Sequence, residues 1–415
     1  MAFDSDVALL GTGVASLVAA ARLLAEGKSV LLLNPDWDFF SENSELPLDP
    51  LSPLMNRTLT PQKLRKSLPD QVAAELRPNF PGAVEVWSST AAPSTSGFRD
   101  EMAPHVRARS RLWIHADSTS PRPGHWDWES LETVYVEASD AGMSPQLSDG
   151  LVAIRKFPGI AKRVPEIDEV YRGLTVPKIC DVDVTRYRNG LLEFVRERLG
   201  PERVLCAASQ IDITPDGVRF HWQGSARTAR LREGLLCFWT PRMTPWILAQ
   251  AKRAEVQPRL PQGVRIWEEW SVLSRDALDP SIVGVFEDLV VWASLEGAPV
   301  NDPRKPYEQL SVLRPGPRIS LEEFQSNVAS SSLASQESFR SLARLCLDFL
   351  RWDHFRVRSM RPRSILDWGD TVTAPWRLGG DLSRAFVVGG CDGPLVEVVR
   401  AARAACVPML SGGIP

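Results

Sequence analysis

The chain has 415 residues, 44% of them hydrophobic, and a formal net charge of −3, so it can bury one large core or two linked ones. The small negative charge argues against a general nucleic-acid surface, which normally requires a basic excess, and no segment has the run of about 18 apolar residues that spans a membrane. The six cysteines and five histidines show no CxxC or metal-ligand spacing, so we expect reduced thiols, no metal and a cytoplasmic location.

The first predicted elements are a strand, a helix and a second strand between Asp6 and Asn34. The apolar run 7–10 suits a short buried strand, and Gly11 and Gly13 permit a tight turn in which backbone amides approach a phosphate. The N-terminus of the next helix carries partial positive charge and free N–H groups, which together bind anions. The segment is therefore predicted to be a dinucleotide-binding unit, with an ordinary strand–helix–strand unit as the alternative.

Two residues depart from the strongest form of this motif. Ser16 replaces the third glycine of GxGxxG, and it is small enough to keep the helix close to the strand. Asn34 stands where an acidic residue usually accepts hydrogen bonds from ribose hydroxyls, and its carboxamide can still accept or donate. Asp36, two residues further on, could take that role instead.

The next part of the chain is polar. Residues 37–69 are predicted to be mostly loop, and residues 88–127 are too rich in Ser, Pro and charge to form core. The arginines at 107, 109 and 111 are predicted to lie on a solvated face.

Regular structure returns near residue 183. A helix is predicted to begin after Asp183, which can cap it, and to stop at Gly200. Strands are predicted at 203–207 and 235–239, with a hairpin around the turn 215–217 between them. This order of elements is a second indication of a dinucleotide-binding protein, and it is independent of the glycine motif.

The last third of the chain again alternates between strand and helix patterns. Residues 264–295 favour strands, and residues 336–349 have apolar side chains at helical spacing. A short buried strand is predicted at 385–388. It leads into the sequence GGCDGP and a helix over residues 395–409.

Three segments together resemble the FAD-dependent oxidoreductases with a glutathione-reductase-type Rossmann fold, in the branch of flavin amine oxidases and hydroxylases. Residues 11–34 match the FAD fingerprint, and residues 203–241 are similar to the strand and β-meander beside the adenine. Residues 386–402 are similar to the C-terminal motif in which a strand delivers Gly-Asp to the ribityl and pyrophosphate region.

The resemblance implies an α/β fold in which an FAD-binding Rossmann-like domain is interleaved with a mixed-sheet substrate domain. The FAD-binding domain would comprise residues 1–65, 178–250 and 360–415. The substrate domain would comprise residues 66–177 and 251–359.

The resemblance also implies FAD as the cofactor and assigns its N-terminal contacts. Asn34 would face the adenosine ribose, and Leu205 or its neighbour Val204 would touch the adenine through backbone groups. The pyrophosphate would be lined by Gly11, Gly13, Val14, Ala15 and Ser16.

The C-terminal motif would hold the other end of the cofactor. Gly389 and Gly390 would allow close backbone approach, and Asp392 would bond a ribityl hydroxyl. Pro394 and Leu395 would lie near the pyrimidine edge of the flavin, where helix N-terminal amides stabilise an anionic reduced ring.

Two groups of side chains near this motif have alternative interpretations. Trp376 either forms an aromatic wall against the flavin, as in related oxidases, or packs in the core. A set of arginines either forms a solvated strand face or binds a substrate carboxylate in bidentate geometry. Its members are the arginines at 351, 356, 358, 361 and 363.

The implied function is an oxidoreductase that transfers a hydride from a C–N or C–C bond of a small organic substrate to the flavin N5. The sequence identifies no catalytic residue. One alternative is an FAD-dependent NAD(P)H monooxygenase. Another is a non-catalytic binding protein of the same fold, similar to the GDP-dissociation inhibitors, because fold does not determine function.

Overall fold

The computed structural model describes most of the regular elements of the chain. The described residues are 2–35, 76, 106–116, 128–149, 171–182, 184–274, 282–286, 289–293, 308–328, 355–368, 375–390 and 395–410. The strands are β1 Ala2–Leu10, β2 Val30–Pro35, β3 Val106–Ala116, β4 Gln146–Asp149, β5 Tyr171–Val182, β6 Val204–Thr214, β7 Gly217–Trp222, β8 Ser225–Phe238, β9 Gly263–Ser274, β10 Ile282–Phe286, β11 Leu289–Ala293, β12 Glu308–Ile319, β13 Phe355–Asp367, β14 Trp376–Arg377 and β15 Ala385–Val388. The helices are α1 Val14–Ala25, α2 Trp128–Asp140, α3 Val184–Leu199, α4 Thr244–Arg253, α5 Leu321–Val328, α6 Leu395–Ala405 and α7 Val407–Leu410.

The first sheet has seven strands, in the order β1-β2-β6-β7-β8-β15-β14, with a further pairing between β1 and β8. Strand β1 is parallel to both β2 and β8, and β8 is parallel to β15. Strands β6, β7 and β8 form the predicted meander through antiparallel pairs. The sheet therefore brings the carboxyl ends of β1, β2 and β15 to one edge, where ligands bind in open α/β sheets.

The second sheet has eight strands, in the order β13-β9-β12-β11-β10-β3-β5-β4. It is mixed, because β10 is parallel to β3 while its other pairs are antiparallel. Strand β3 lies inside this sheet, between β10 and β5. No strand was predicted there, because both pairing partners are distant in sequence and leave no local signal. The burial of the β3 side chains lies outside the described residues, so the prediction that this segment is too polar for core stays a prediction.

The core of the first sheet has two sides, since successive strand residues point to opposite faces. On one side, Val7 and Leu9 pack with residues of α1, α3 and α6. On the other, Ala8 and Leu10 pack with the meander and with β9 and β13. Burial on both faces accounts for the continuous apolar runs of β1 and β2, and the second side joins the two sheets.

The predicted α/β fold with an interleaved mixed-sheet region is confirmed. The helix predicted after residue 183 and the strand at 385–388 are present as α3 and β15. Strands β5 and β13 run across two of the expected domain boundaries, between 177 and 178 and between 359 and 360. The division into two domains stays a prediction. The predicted helix over residues 336–349 lies outside the described residues.

Candidate functional site

The site begins at the loop between β1 and α1. Gly11 has a φ of 104°, a value that favours glycine, and its N–H donates a 2.8 Å hydrogen bond to the carbonyl of Leu33 on β2. Gly13 is the N-cap of α1 and provides no side-chain cap. Because the first turn of a helix leaves N–H groups without intrahelical partners, this loop offers backbone donors and a positive helix end to an anion.

Ser16 occupies the position of the third glycine of the motif. The residue is 1% exposed, and its hydroxyl donates a 3.3 Å hydrogen bond to the carbonyl of Leu10. Its polar atom therefore bonds to the end of β1, and the small side chain lets α1 stay close to the strand. Val14 and Ala15 are also buried, so only Gly13 of this stretch is partly exposed.

Asn34 lies at the end of β2, beside the glycine loop. The residue is 8% exposed, and its Oδ1 atom is buried with no hydrogen-bond partner among the described residues. A buried carbonyl oxygen without a partner loses its hydration and gains nothing in return. The position therefore suits a hydroxyl donor from a bound molecule. Leu205, at the start of β6, pairs with Leu33, next to Asn34.

Sequence reasoning missed Arg188 of α3 as a site residue. Its Nε donates a 3.0 Å hydrogen bond to the carbonyl of Thr12, and Nη2 lies 3.4 Å from the Thr12 hydroxyl oxygen. The arginine is 6% exposed and the threonine 3%. The sequence contained one indication of this contact. Arg188 lies between Val184 and Leu191 on the apolar face of the helix, where a charged side chain requires a buried hydrogen-bond partner.

The C-terminal motif reaches the same edge of the sheet. The N–H of Trp239, directly after β8, donates a 2.8 Å hydrogen bond to the carbonyl of Val388 at the end of β15. Gly389 is buried, and Gly390 follows with a φ of 71°. Leu395 is buried at the start of α6. Asp392 and Pro394 lie outside the described residues.

The comparisons with known proteins give no match in sequence but a clear one in fold. No protein-family model matches the chain, and no curated protein matches it. The structure of NikD, an unusual amino acid oxidase essential for nikkomycin biosynthesis, is similar with a TM-score of 0.65 at 13% identity, covering 98% of this chain and 94% of that one.

Two further solved structures have a similar fold. L-alpha-glycerophosphate oxidase from Mycoplasma pneumoniae, with FAD bound, gives a TM-score of 0.62 at 11% identity, covering 98% of this chain and 95% of that one. Glycine oxidase from Geobacillus kaustophilus gives 0.59 at 12% identity, covering 100% and 96%. The chain has the fold of the FAD-dependent oxidoreductases. The predicted resemblance is confirmed at this level.

In this FAD-oxidoreductase fold, the predicted N-terminal and C-terminal residues come together at one sheet edge. Strand β1 lies between β2 and β8, and β15 lies on the far side of β8. Asn34 therefore lies at the end of one strand of a parallel set, and Gly11 and Gly389 directly follow two others. Their contacts with a cofactor stay a prediction.

Three tryptophan rings pack together near this edge of the sheet. The ring of Trp239 lies 5.3 Å from that of Trp368, edge to face, and 6.3 Å from that of Trp376. Trp376 is half-buried and packs against the core that joins the two sheets, which supports the core interpretation. Its indole N–H is also buried without an acceptor among the described residues.

Two buried cysteines and the absence of a metal-ligand cluster characterise the rest of the described residues. Burial raises the pKa of the Cys237 thiol, and it raises the pKa of Cys406 to about 12, so both stay protonated and unreactive at neutral pH. Among the described residues, no group of three or more His, Cys, Asp or Glu could hold a metal ion. No described helix is long and apolar enough to cross a membrane.

Proposed function

We propose that this chain binds FAD and oxidises a C–N bond of a small amino acid or amine. The observation that carries the proposal is the meeting of two features at one sheet edge. The N-terminus of α1, where Gly13 provides no side-chain cap, offers backbone donors to a diphosphate. The unpartnered Oδ1 of Asn34 offers an acceptor to a ribose hydroxyl on the neighbouring strand.

The residues at this edge fit the two ends of such a cofactor. The spacing from the glycine loop to Asn34 suits a diphosphate followed by a ribose. The first turn of α1 has no acidic side chain, so this turn does not repel the phosphates. At the other end, Gly389 and Gly390 have no side chain that would hinder a close backbone approach.

The choice of a C–N bond is supported by the proteins that share the fold. The similar structures include an unusual amino acid oxidase and a glycine oxidase. FAD, when bound, supplies the N5 acceptor for a hydride. The chain itself would orient the substrate and exclude water from the flavin.

Absorbance spectroscopy of the purified full chain tests the proposal. We expect a flavin band that is released as FAD on denaturation and is bleached anaerobically by one or more members of an amino acid and amine panel. Bleaching by NADPH alone would indicate the monooxygenase. A protein that neither carries nor takes up FAD would overturn the proposal and favour the binding-protein alternative.

A further inference from the structure

The position of Arg188 gives it a role beyond packing. Its side chain reaches from α3 to the glycine loop, 176 residues earlier in the chain, and bonds both the carbonyl and the hydroxyl of Thr12. A third contact, 3.4 Å from Nη1 to the Asn189 side chain, holds the guanidinium on its own helix. The guanidinium is thus fixed against the loop that begins α1.

The hydrogen bond to Thr12 sets the direction of one peptide group. The Thr12 carbonyl and the Gly13 N–H belong to the same planar trans peptide, so they point in opposite directions. Because Arg188 holds the carbonyl on the α3 side, the Gly13 N–H points away from α3. Gly13 is partly exposed and is the N-cap of α1, so this donor lies at the helix end that the proposed function assigns to the diphosphate.

The charge of Arg188 acts in the same direction as the helix end. The residue is 6% exposed, and water screens a buried charge much less than an exposed one. A diphosphate bound at α1 would therefore interact with the guanidinium through the loop, in addition to its direct hydrogen bonds with backbone N–H groups.

We propose that Arg188 is a positioning residue for the diphosphate of the bound dinucleotide, acting through the Thr12–Gly13 peptide. This inference rests on the proposed function, because it takes the α1 loop as the diphosphate site. Arg188 then strengthens binding of a diphosphate relative to the bare nucleoside without contacting either ligand.

The test uses the full chain, freed of any co-purified nucleotide, and measures dissociation constants for FAD, ADP and adenosine. Arg188→Met is expected to weaken FAD and ADP about 10-fold or more while changing adenosine little, as befits the loss of charge-assisted hydrogen bonds. Arg188→Lys, which keeps the charge without the fork, should recover part of that loss. Thr12→Val removes the 3.4 Å contact alone and should change the FAD constant less than about threefold.

Arg203→Met is the matched control. Arg203 also reaches β1, where its Nη1 donates a 3.0 Å hydrogen bond to the hydroxyl of Ser5, away from the glycine loop. It should leave the ADP-to-adenosine ratio unchanged. An ADP-to-adenosine ratio of dissociation constants that is the same in wild type and Arg188→Met would overturn the inference. Full wild-type affinity of Arg188→Lys for FAD would also overturn it. The Arg188→Lys result is the deciding one if Arg188→Met does not fold. A wild-type chain that binds neither FAD nor ADP would instead refute the proposed function.

Discussion

Arg363 and Glu269 form a partly buried ion pair between neighbouring strands, in which Nε and Nη2 of the arginine lie 2.7 and 2.5 Å from one carboxylate oxygen. Their side chains are 6% and 18% exposed. The guanidinium edge that would hold a substrate carboxylate is thus bound within the sheet. The side chains of the other arginines of that set lie outside the described residues.

This pair predicts a structural role for Arg363. Arg363→Met removes the two hydrogen bonds that the guanidinium donates to the partly buried Glu269 carboxylate, and we expect the free energy of unfolding in urea to fall by about 2–3 kcal/mol. The double variant with Glu269→Met should lose less, since both charges leave together. Unchanged stability of the single variant with a raised KM for a carboxylate substrate would favour the clamp instead.

Asn34 is predicted to bind the ribose of the cofactor. Asn34→Leu removes the unpartnered Oδ1 acceptor, so FAD should bind about 10-fold more weakly, as expected for the loss of one hydrogen bond. Gln250→Leu is a suitable control, because Gln250 Oε1 is also buried without a partner among the described residues but lies on α4, which carries none of the predicted site residues. Equal FAD titration curves for wild type and Asn34→Leu would remove Asn34 from the site.

Asp6 makes the stability of the first strand–helix–strand unit depend on pH. Its Oδ2 accepts hydrogen bonds from the backbone N–H and the hydroxyl of Ser29, at 2.7 and 2.8 Å. The backbone bond is the main cause that holds the Asp6 pKa below its ordinary value of 3.8, against the opposing effect of burial. The contribution is therefore complete above about pH 4 and is lost as the pH falls through the lower folded pKa.

Melting temperatures of wild type and Asp6→Asn check this dependence. We expect the variant to be less stable by about 1 kcal/mol at pH 7, and the difference should shrink near pH 3. Asp4→Asn, which changes an exposed carboxylate on the same strand, should show neither effect. A difference that stays constant from pH 7 to pH 3 would contradict the assignment.

Gly234 permits the close packing of β8 against the start of β15. A Cβ atom at this position would lie 2.2 Å from the Arg384 carbonyl oxygen, so Gly234→Ala should cost about 3 kcal/mol of unfolding free energy through overpacking. Gly224 has a φ of 73° but nothing within 4 Å of its Cβ position, and Gly224→Ala should cost only about 1 kcal/mol. Urea denaturation that ranks the two variants in the opposite order would refute this account.

The strand–helix–strand unit that carries the N-terminal candidate residues could be predicted because its signals are local. Gly11, Gly13 and Asn34 lie within one strand–helix–strand unit, where turn geometry and apolar periodicity act over a few residues. The same holds for the α3 helix and for the turn between β6 and β7. In each case the pattern depends on neighbours along the chain, so its outcome does not require the rest of the fold.

The strand β3 and the contacts of Arg188 and Arg363 could not be predicted in this way. Arg188 meets Thr12 across 176 residues, and Arg363 meets Glu269 across 94. The chain's own pattern thus determined the first strand–helix–strand unit, the meander turn and α3. Only the tertiary structure decided which charged side chains are buried and what they hold, because burial of a charge depends on the partner that packing brings to it.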